Sequence, residues 1–118
     1  MEEHKPTPSK LLGDLEKLGV LHAVLTGKDG LVIESVGPGG PQAEYLAAEI
    51  AALSRRLHTL TPLLEQPIRR LAALNESREL LAVFEGDYCI GAIVARGSDR
   101  RAISRELSRL AHKLVQLP

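Results

Sequence analysis

The side chains of this chain best suited to direct chemistry are its four histidines, its single cysteine and its serines, and their spacing gathers none of them into a site. His4, His22, His58 and His112 are scattered, with no pair three or four residues apart and no carboxylate cluster at ligand spacing, so no metal is expected. Cys89 lies within an apolar run, where cysteine behaves as a small hydrophobe; a reactive thiolate wants an electropositive, accessible setting. Ser35, Ser54 and Ser104 lack the context of a nucleophile elbow. The run Gly37-Pro38-Gly39-Gly40 precedes a helix, and a helix N-terminus can hold a phosphate. It lacks both the Lys-Ser/Thr of a Walker loop and the spacing of a dinucleotide fingerprint, so turn geometry is the better reading. Neither an enzymatic site, a cofactor nor a small-molecule substrate follows.

Arginine is the remaining candidate. Arg101, Arg105, Arg109 and His112 share one side of the last helical segment, opposite its leucines. Such a stripe could meet an acidic partner or lipid head groups, but Glu106 and the neutral balance favour a plain solvated face. Arg55 and Arg56 adjoin an alanine-lined helix side and suit either solubility or partner contact. Fifteen basic and fifteen acidic residues cancel, which removes the overall field that would draw nucleic acid or an anionic membrane.

The elements that must carry these residues follow from periodicity. Thr7 and Pro8 read as an N-cap and first-turn proline of a short helix, with Leu11, Leu15 and Leu18 on one face and Gly19 as the stop. Val20 to Thr26 and Leu31 to Val36 read as a hairpin around Gly27-Lys28-Asp29-Gly30. After the glycine-proline turn, residues 42 to about 60 place Ala43, Leu46, Ala47, Ile50, Leu53, Leu57 and Leu60 on one helical side. Tyr45, Ala48, Glu49, Ala52, Arg55 and Arg56 occupy the other side, where the alanines would let a second helix come close.

Pro62 and Pro67 bracket a connector. Ile68 to Leu74, Leu80 to Glu85 and Tyr88 to Ala95 then form a meander, turning at Asn75-Glu76-Ser77-Arg78 and Gly86-Asp87. In the last two strands both alternating sets are apolar, so both sheet faces need cover. The last helix starts near Ser98 or Asp99 and carries Ile103, Leu107, Leu110 and Leu114 on one stripe. A length of 118 residues, 44% hydrophobic and 25% charged, suits a single folded domain over 1–118 with residues 1–6 as a loose segment. One cysteine excludes an internal disulfide, and no apolar leader or membrane-length run is present, which points to the cytoplasm and to no transmembrane segment.

Three stretches carry a resemblance: Asp29-Gly30-Leu31-Val32-Ile33-Glu34-Ser35 after a strand, Ala43-Glu44-Tyr45-Leu46-Ala47-Ala48 opening the long helix, and Gly91-Ala92-Ile93-Val94-Ala95-Arg96-Gly97 before the last one. With the order α-β-β-α-β-β-β-α, they resemble the roadblock/dynein light chain family over roughly residues 9 to 115. That family includes bacterial partners of Ras-like polarity GTPases. The resemblance implies an α+β, profilin-like three-layer α/β/α fold with a five-stranded antiparallel sheet of order 2-1-5-4-3. It also implies a homodimer whose third strands pair edge to edge, bringing in Ile68, Arg69, Arg70, Leu71 and Ala72, while the long helices lie side by side.

The function so implied is a non-catalytic platform that binds and regulates a small Ras-like GTPase, with Arg55 and Arg56 as candidate partner contacts. Two alternatives stand beside it: a structural adaptor that leaves GTP turnover unchanged, and a small-molecule sensor, against which three aromatics and no convergent polar cluster argue. If the alanine side mates with its twin, Ala48→Glu or Ala52→Glu forces a charge into a close helix contact and yields a folded monomer; an unchanged mass by light scattering would count against that side.

Overall fold

The computed structural model describes residues 11–116, so His4, Thr7, Pro8 and the segment 1–6 lie outside the described residues. The elements are α1 (Gly13–Lys17), β1 (His22–Gly27), β2 (Val32–Val36), α2 (Pro41–Leu57), α3 (Thr61–Leu64), β3 (Arg70–Leu74), β4 (Arg78–Glu85), β5 (Tyr88–Ala95) and α4 (Arg100–Leu114). The strands form one antiparallel sheet in the order β2-β1-β5-β4-β3, the profilin-like topology the resemblance implied.

Doubly apolar strands put this sheet in the middle layer. Ala23, Leu25, Leu81, Val83, Ile90, Ala92 and Val94 point to one face and are sealed by Leu12 and Leu15 of the α1 region and by Ile103, Leu107, Leu110 and Leu114 of α4. Val24, Ala82, Phe84 and Cys89 point to the other and meet α2 through Ala43, Ala47 and Ile50. The Asp99 carboxylate accepts from the Ala102 amide at 3.0 Å, so α4 begins at the expected cap.

How closely α2 approaches the sheet is set by Gly91. A Cβ at that position would come within 2.7 Å of Ile50 Cγ1, and Ile50 is fully buried. The missing side chain lets α2 settle over β1 and β5, the strands on which it mainly rests. At the other flank of α2 the β1–β2 hairpin closes in: Gly30, at φ +84°, lies so near that a Cβ would meet the Ala48 Cα at 3.4 Å.

Some expectations change. The first helix buries Leu12 and Leu15, whereas Leu18 is 37% exposed, because α1 is only a turn and a half and its face is set by docking rather than by the i, i+3 pattern. The long helix stops at Leu57; His58–Leu60 form a 3-10 turn before α3, and Leu60 is exposed rather than part of the core stripe. Pro62 is the cause. It has no N–H for the His58 carbonyl, and its ring would clash with it in a continued helix. The Thr61 hydroxyl donates to that carbonyl instead, at 2.7 Å. Strand β3 begins at Arg70 rather than Ile68, although the Arg69 carbonyl already accepts from the Phe84 amide at 2.9 Å.

Gly91→Ala should therefore cost about 1–3 kcal/mol of stability by overpacking. Chemical denaturation of Gly91→Ala, Ile50→Ala and the double variant checks the cause: the double variant should lose less than the two single losses combined, whereas simple additivity would exclude this contact.

Candidate interaction surface

The β3 main chain has an open side. The ladder to β4 pairs Leu71 with Ala82 and Ala73 with Leu80, and the flanking bonds from Phe84 N–H to the Arg69 carbonyl and from Asn75 N–H to the Arg78 carbonyl set its phase. In an antiparallel pair the hydrogen-bonding residues alternate. Residues 69, 71, 73 and 75 therefore bond inward, and the N–H and C=O groups of Arg70, Ala72 and Leu74 point out along the edge of the sheet. Leu74 is 55% exposed, and Ala72 and Ala73 are exposed as well.

Beside this edge lies an apolar rim. Because α2 sits over β1 and β5, the same face of β4 and β3 is only partly covered. Leu46, Leu53 and Leu57 of α2 gather there with Ile68, Leu71 and Leu80, all half-buried. The sequence pattern assigned the helix leucines to the chain's own core. A helical wheel cannot reveal that the sheet ends before the stripe does.

The predicted helix residues divide between two flanks. Glu49 and Arg56 each stand three residues from a rim leucine, Leu46 and Leu53 respectively, and are exposed on the rim side. Tyr45 is 71% exposed and overhangs the same side near the helix start. Ala52 is half-buried on the outer surface. Ala48 lies against Gly30, and the Arg55 guanidinium donates to the Lys28 carbonyl at 2.9 Å, so both belong to the hairpin flank. On the sheet, Ile68 and Leu71 join the rim, Arg69 pairs with Glu85 at 3.2 Å, and Arg70 and Ala72 project toward the α4 face.

Below Tyr45 a mainly apolar groove of about 450 Å³ runs between the start of α2 and the sheet, with His22, Gln42 and Arg78 among its lining. Three histidines lie among the described residues: His22 lines this groove, His58 sits beyond the end of α2, and His112 is on α4. Cys89 is fully buried, and burial pushes its thiol up, opposed by the Ser54 hydroxyl and the Lys28 and Arg55 charges.

Two buried carboxylates escaped the sequence reading. Glu79 accepts from Arg100 at 2.9 Å and lies 3.5 Å from Arg96, and the Arg100 hydrogen bond holds it below the usual carboxylate range. From β4 it thereby pins both Arg96, just after β5, and the first turn of α4. Glu34 accepts from the Leu12 amide at 2.8 Å, which satisfies a backbone donor at the start of α1. Its other oxygen is buried without a partner among the described residues, and desolvation lifts its pKa to about 6 despite the Leu12 and Leu11 amides. Among the described residues no helix is long and apolar enough to cross a membrane.

Comparison with known proteins places this geometry. No protein-family model matches the chain, and no curated protein matches it in sequence. Solved structures do. A roadblock/LC7 domain from Streptomyces avermitilis superposes with TM-score 0.85 at 20% identity, covering 94% of this chain and 97% of that one. Myxococcus xanthus MglB gives 0.77 at 15% identity over 92% and 88%. Acanthamoeba castellanii profilin II gives 0.65 at 12% identity over 86% and 90%. The chain has the roadblock fold.

Glu34 gives a pH test. Folding raises its pKa from 4.5 to about 6, so the folded chain holds this proton more tightly than the unfolded chain does. Its contribution to stability is complete below the unfolded value and is lost as pH rises through 6, a change of up to about 2 kcal/mol. Glu34→Gln cannot ionise. The stability difference between native protein and Glu34→Gln should shift against the native protein from about pH 4 to pH 7 in denaturant titrations; a difference flat with pH would contradict the burial of an ionising carboxyl.

Proposed function

We propose that this chain is a non-catalytic homodimeric platform that binds and regulates a small Ras-like GTPase. One observation carries the dimer: a strand edge with outward amides at Arg70, Ala72 and Leu74 lies beside a half-buried apolar rim. An unprotected edge of this kind is a template for another strand. Antiparallel pairing of β3 with its copy about a twofold axis at Ala72 satisfies these groups and sets Arg70 opposite Leu74 of the second copy, so no like charges face each other. Ile68 to Ala72 then form the strand part of the interface.

The same axis brings the rim flanks of the two α2 helices together, with Leu46, Glu49 and Leu53 between them and Tyr45, Ala52 and Arg56 at the margin. Ala48 and Arg55 then lie farther out, where the hairpin and helix present a shared surface, so of the two alanine reversals Ala52→Glu is the one expected to give the monomer. The GTPase docks on this helix side and contacts Arg55 and Arg56, and its switch segments are biased by the docking. The roadblock fold, shared with MglB, and the resemblance to a family containing partners of Ras-like polarity GTPases support this reading. A sensor reading has one observation behind it, the groove under Tyr45, whose size lies within the range of small-molecule sites. Paired α2 helices would narrow that groove from the Tyr45 side.

Ala72→Pro removes an outward N–H while leaving the β4 ladder intact, and proline is tolerated on edge strands. The native chain should have the mass of a dimer by light scattering and Ala72→Pro that of a folded monomer; a monomeric native chain would overturn the platform. For the partner, the purified protein is mixed with the Ras-like GTPases of its own organism while binding and GTP turnover are measured. Binding with altered turnover is expected. Binding with unaltered turnover would make the chain a structural adaptor, and absence of binding to any of them would overturn the GTPase reading.

A further inference from the structure

The arginines of α4 are not one solvated stripe. Arg109 donates to Glu106 at 2.9 Å and reaches Asp14 of α1 at 3.4 Å, and Lys17 also pairs with Asp14, so the flank facing α1 is neutralised. The opposite flank faces the β3 edge across a groove between helix and sheet. The helix supplies Ser104, Leu107, Ser108 and His112 to its lining, and the sheet supplies Arg70 and Ala72. Arg101 and Arg105 precede Ser108 and His112 by seven residues each, two turns of helix, and therefore stand exposed on the outer rim above this lining rather than within it. Among the described residues no carboxylate lies within ion-pair distance of Arg70, Arg101 or Arg105. The acid of this region, Glu85, is engaged by Arg69.

We infer that the trough between α4 and β3 is a docking site for an acidic, amphipathic helical segment of a partner protein, distinct from the α2 side assigned to the GTPase. Arg101 and Arg105 are one helical turn apart, the spacing at which carboxylates four residues apart on a facing helix would meet both. Small residues at Ala72, Ser104 and Ser108 keep the trough shallow enough for a backbone to lie along it, and Leu107 supplies an apolar floor. Ser108 donates to the Ser104 carbonyl at 2.9 Å, so neither hydroxyl stands up as a barrier. The chain's net charge of zero and the absence of any aromatic side chain from this trough disfavour nucleic acid, and its concave form disfavours a flat lipid surface. The site needs only one chain. Pairing of two β3 strands would double it across the twofold axis.

The probe is a fluorescent leucine-glutamate helical peptide of about 20 residues, long enough to hold helix on binding. Anisotropy is read with the full chain, with Arg101→Glu/Arg105→Glu, with Ser108→Trp, and with Lys113→Glu as a control on the other flank, each checked for folding by circular dichroism. The native chain should bind, the double reversal should weaken binding about tenfold or more, and Lys113→Glu should leave it nearly unchanged. Ser108→Trp should weaken it with the charges intact, which separates a shaped trough from a diffuse field. Equal loss in Lys113→Glu, no peptide binding, or tighter binding of a single-stranded oligonucleotide or of phosphatidylglycerol vesicles would each overturn the site.

Discussion

The position of α2 on the sheet follows from a single contact, the one between Ile50 and the bare Cα of Gly91. A side chain at residue 91 would lift the helix; its absence seats the helix over β1 and β5, with the Gly30 hairpin holding its outer flank. A helix is about 10 Å wide with its side chains, roughly the width of two strands in a sheet. One helix therefore reaches β4 only through Ile50, which buries Ala82 and Phe84, and leaves β3 and the margin of β4 uncovered. The half-buried rim of Leu46, Leu53, Leu57, Ile68, Leu71 and Leu80 is the consequence, and it lies next to the strand edge whose amides point outward. Uncovered apolar area and unpaired main chain at the same margin give one physical reason for self-association, since pairing a second copy removes both.

Charge is arranged with similar economy. Four carboxylates have structural work: Glu34 holds the start of α1, Glu79 ties β4 to the first turn of α4, and Asp14 with Glu106 neutralises one flank of α4. Among the described residues, several arginines without an acid lie near the β3 margin, Arg56 on the α2 side and Arg70, Arg101 and Arg105 on the other, whereas Arg55 bonds the Lys28 carbonyl on the hairpin flank and Arg78 lines the groove under Tyr45. Partner contact, in this account, is written in the residual arginines rather than in the overall composition.

Much of the fold was legible in the residues. Double apolar alternation in β4 and β5 demanded cover on both faces, Asp99 marked the start of α4, and the glycines at 37 and 40 turn the chain at positive φ, Gly37 packing so closely on the Leu21 carbonyl that a Cβ would lie 2.3 Å from it. Other features depend on long-range packing that no local pattern encodes. Glu34 reads as an ordinary polar strand residue until α1 folds back over it. Leu12 displaces Leu18 from the core for the same reason. The α2 stripe was right about which side is apolar and silent about where the sheet beneath it stops, so Ala48 and Arg55, grouped with Ala52 and Arg56 by periodicity, separate onto different flanks. Pro62 was visible, but its effect on the His58 carbonyl required the Thr61 hydroxyl to be seen in place.

Residue-resolved amide hydrogen exchange separates a paired β3 edge from an open one, because neighbouring amides of β3 face opposite sides of the strand. Those of Leu71 and Ala73 bond to β4 within one chain, whereas those of Ala72 and Leu74 point outward from the sheet, toward the proposed second copy. At high protein concentration all four should be protected, and dilution should free Ala72 and Leu74 while Leu71 and Ala73 stay slow. Exchange of Ala72 and Leu74 at the rate of an open loop, whatever the concentration, would contradict the pairing of β3 edges.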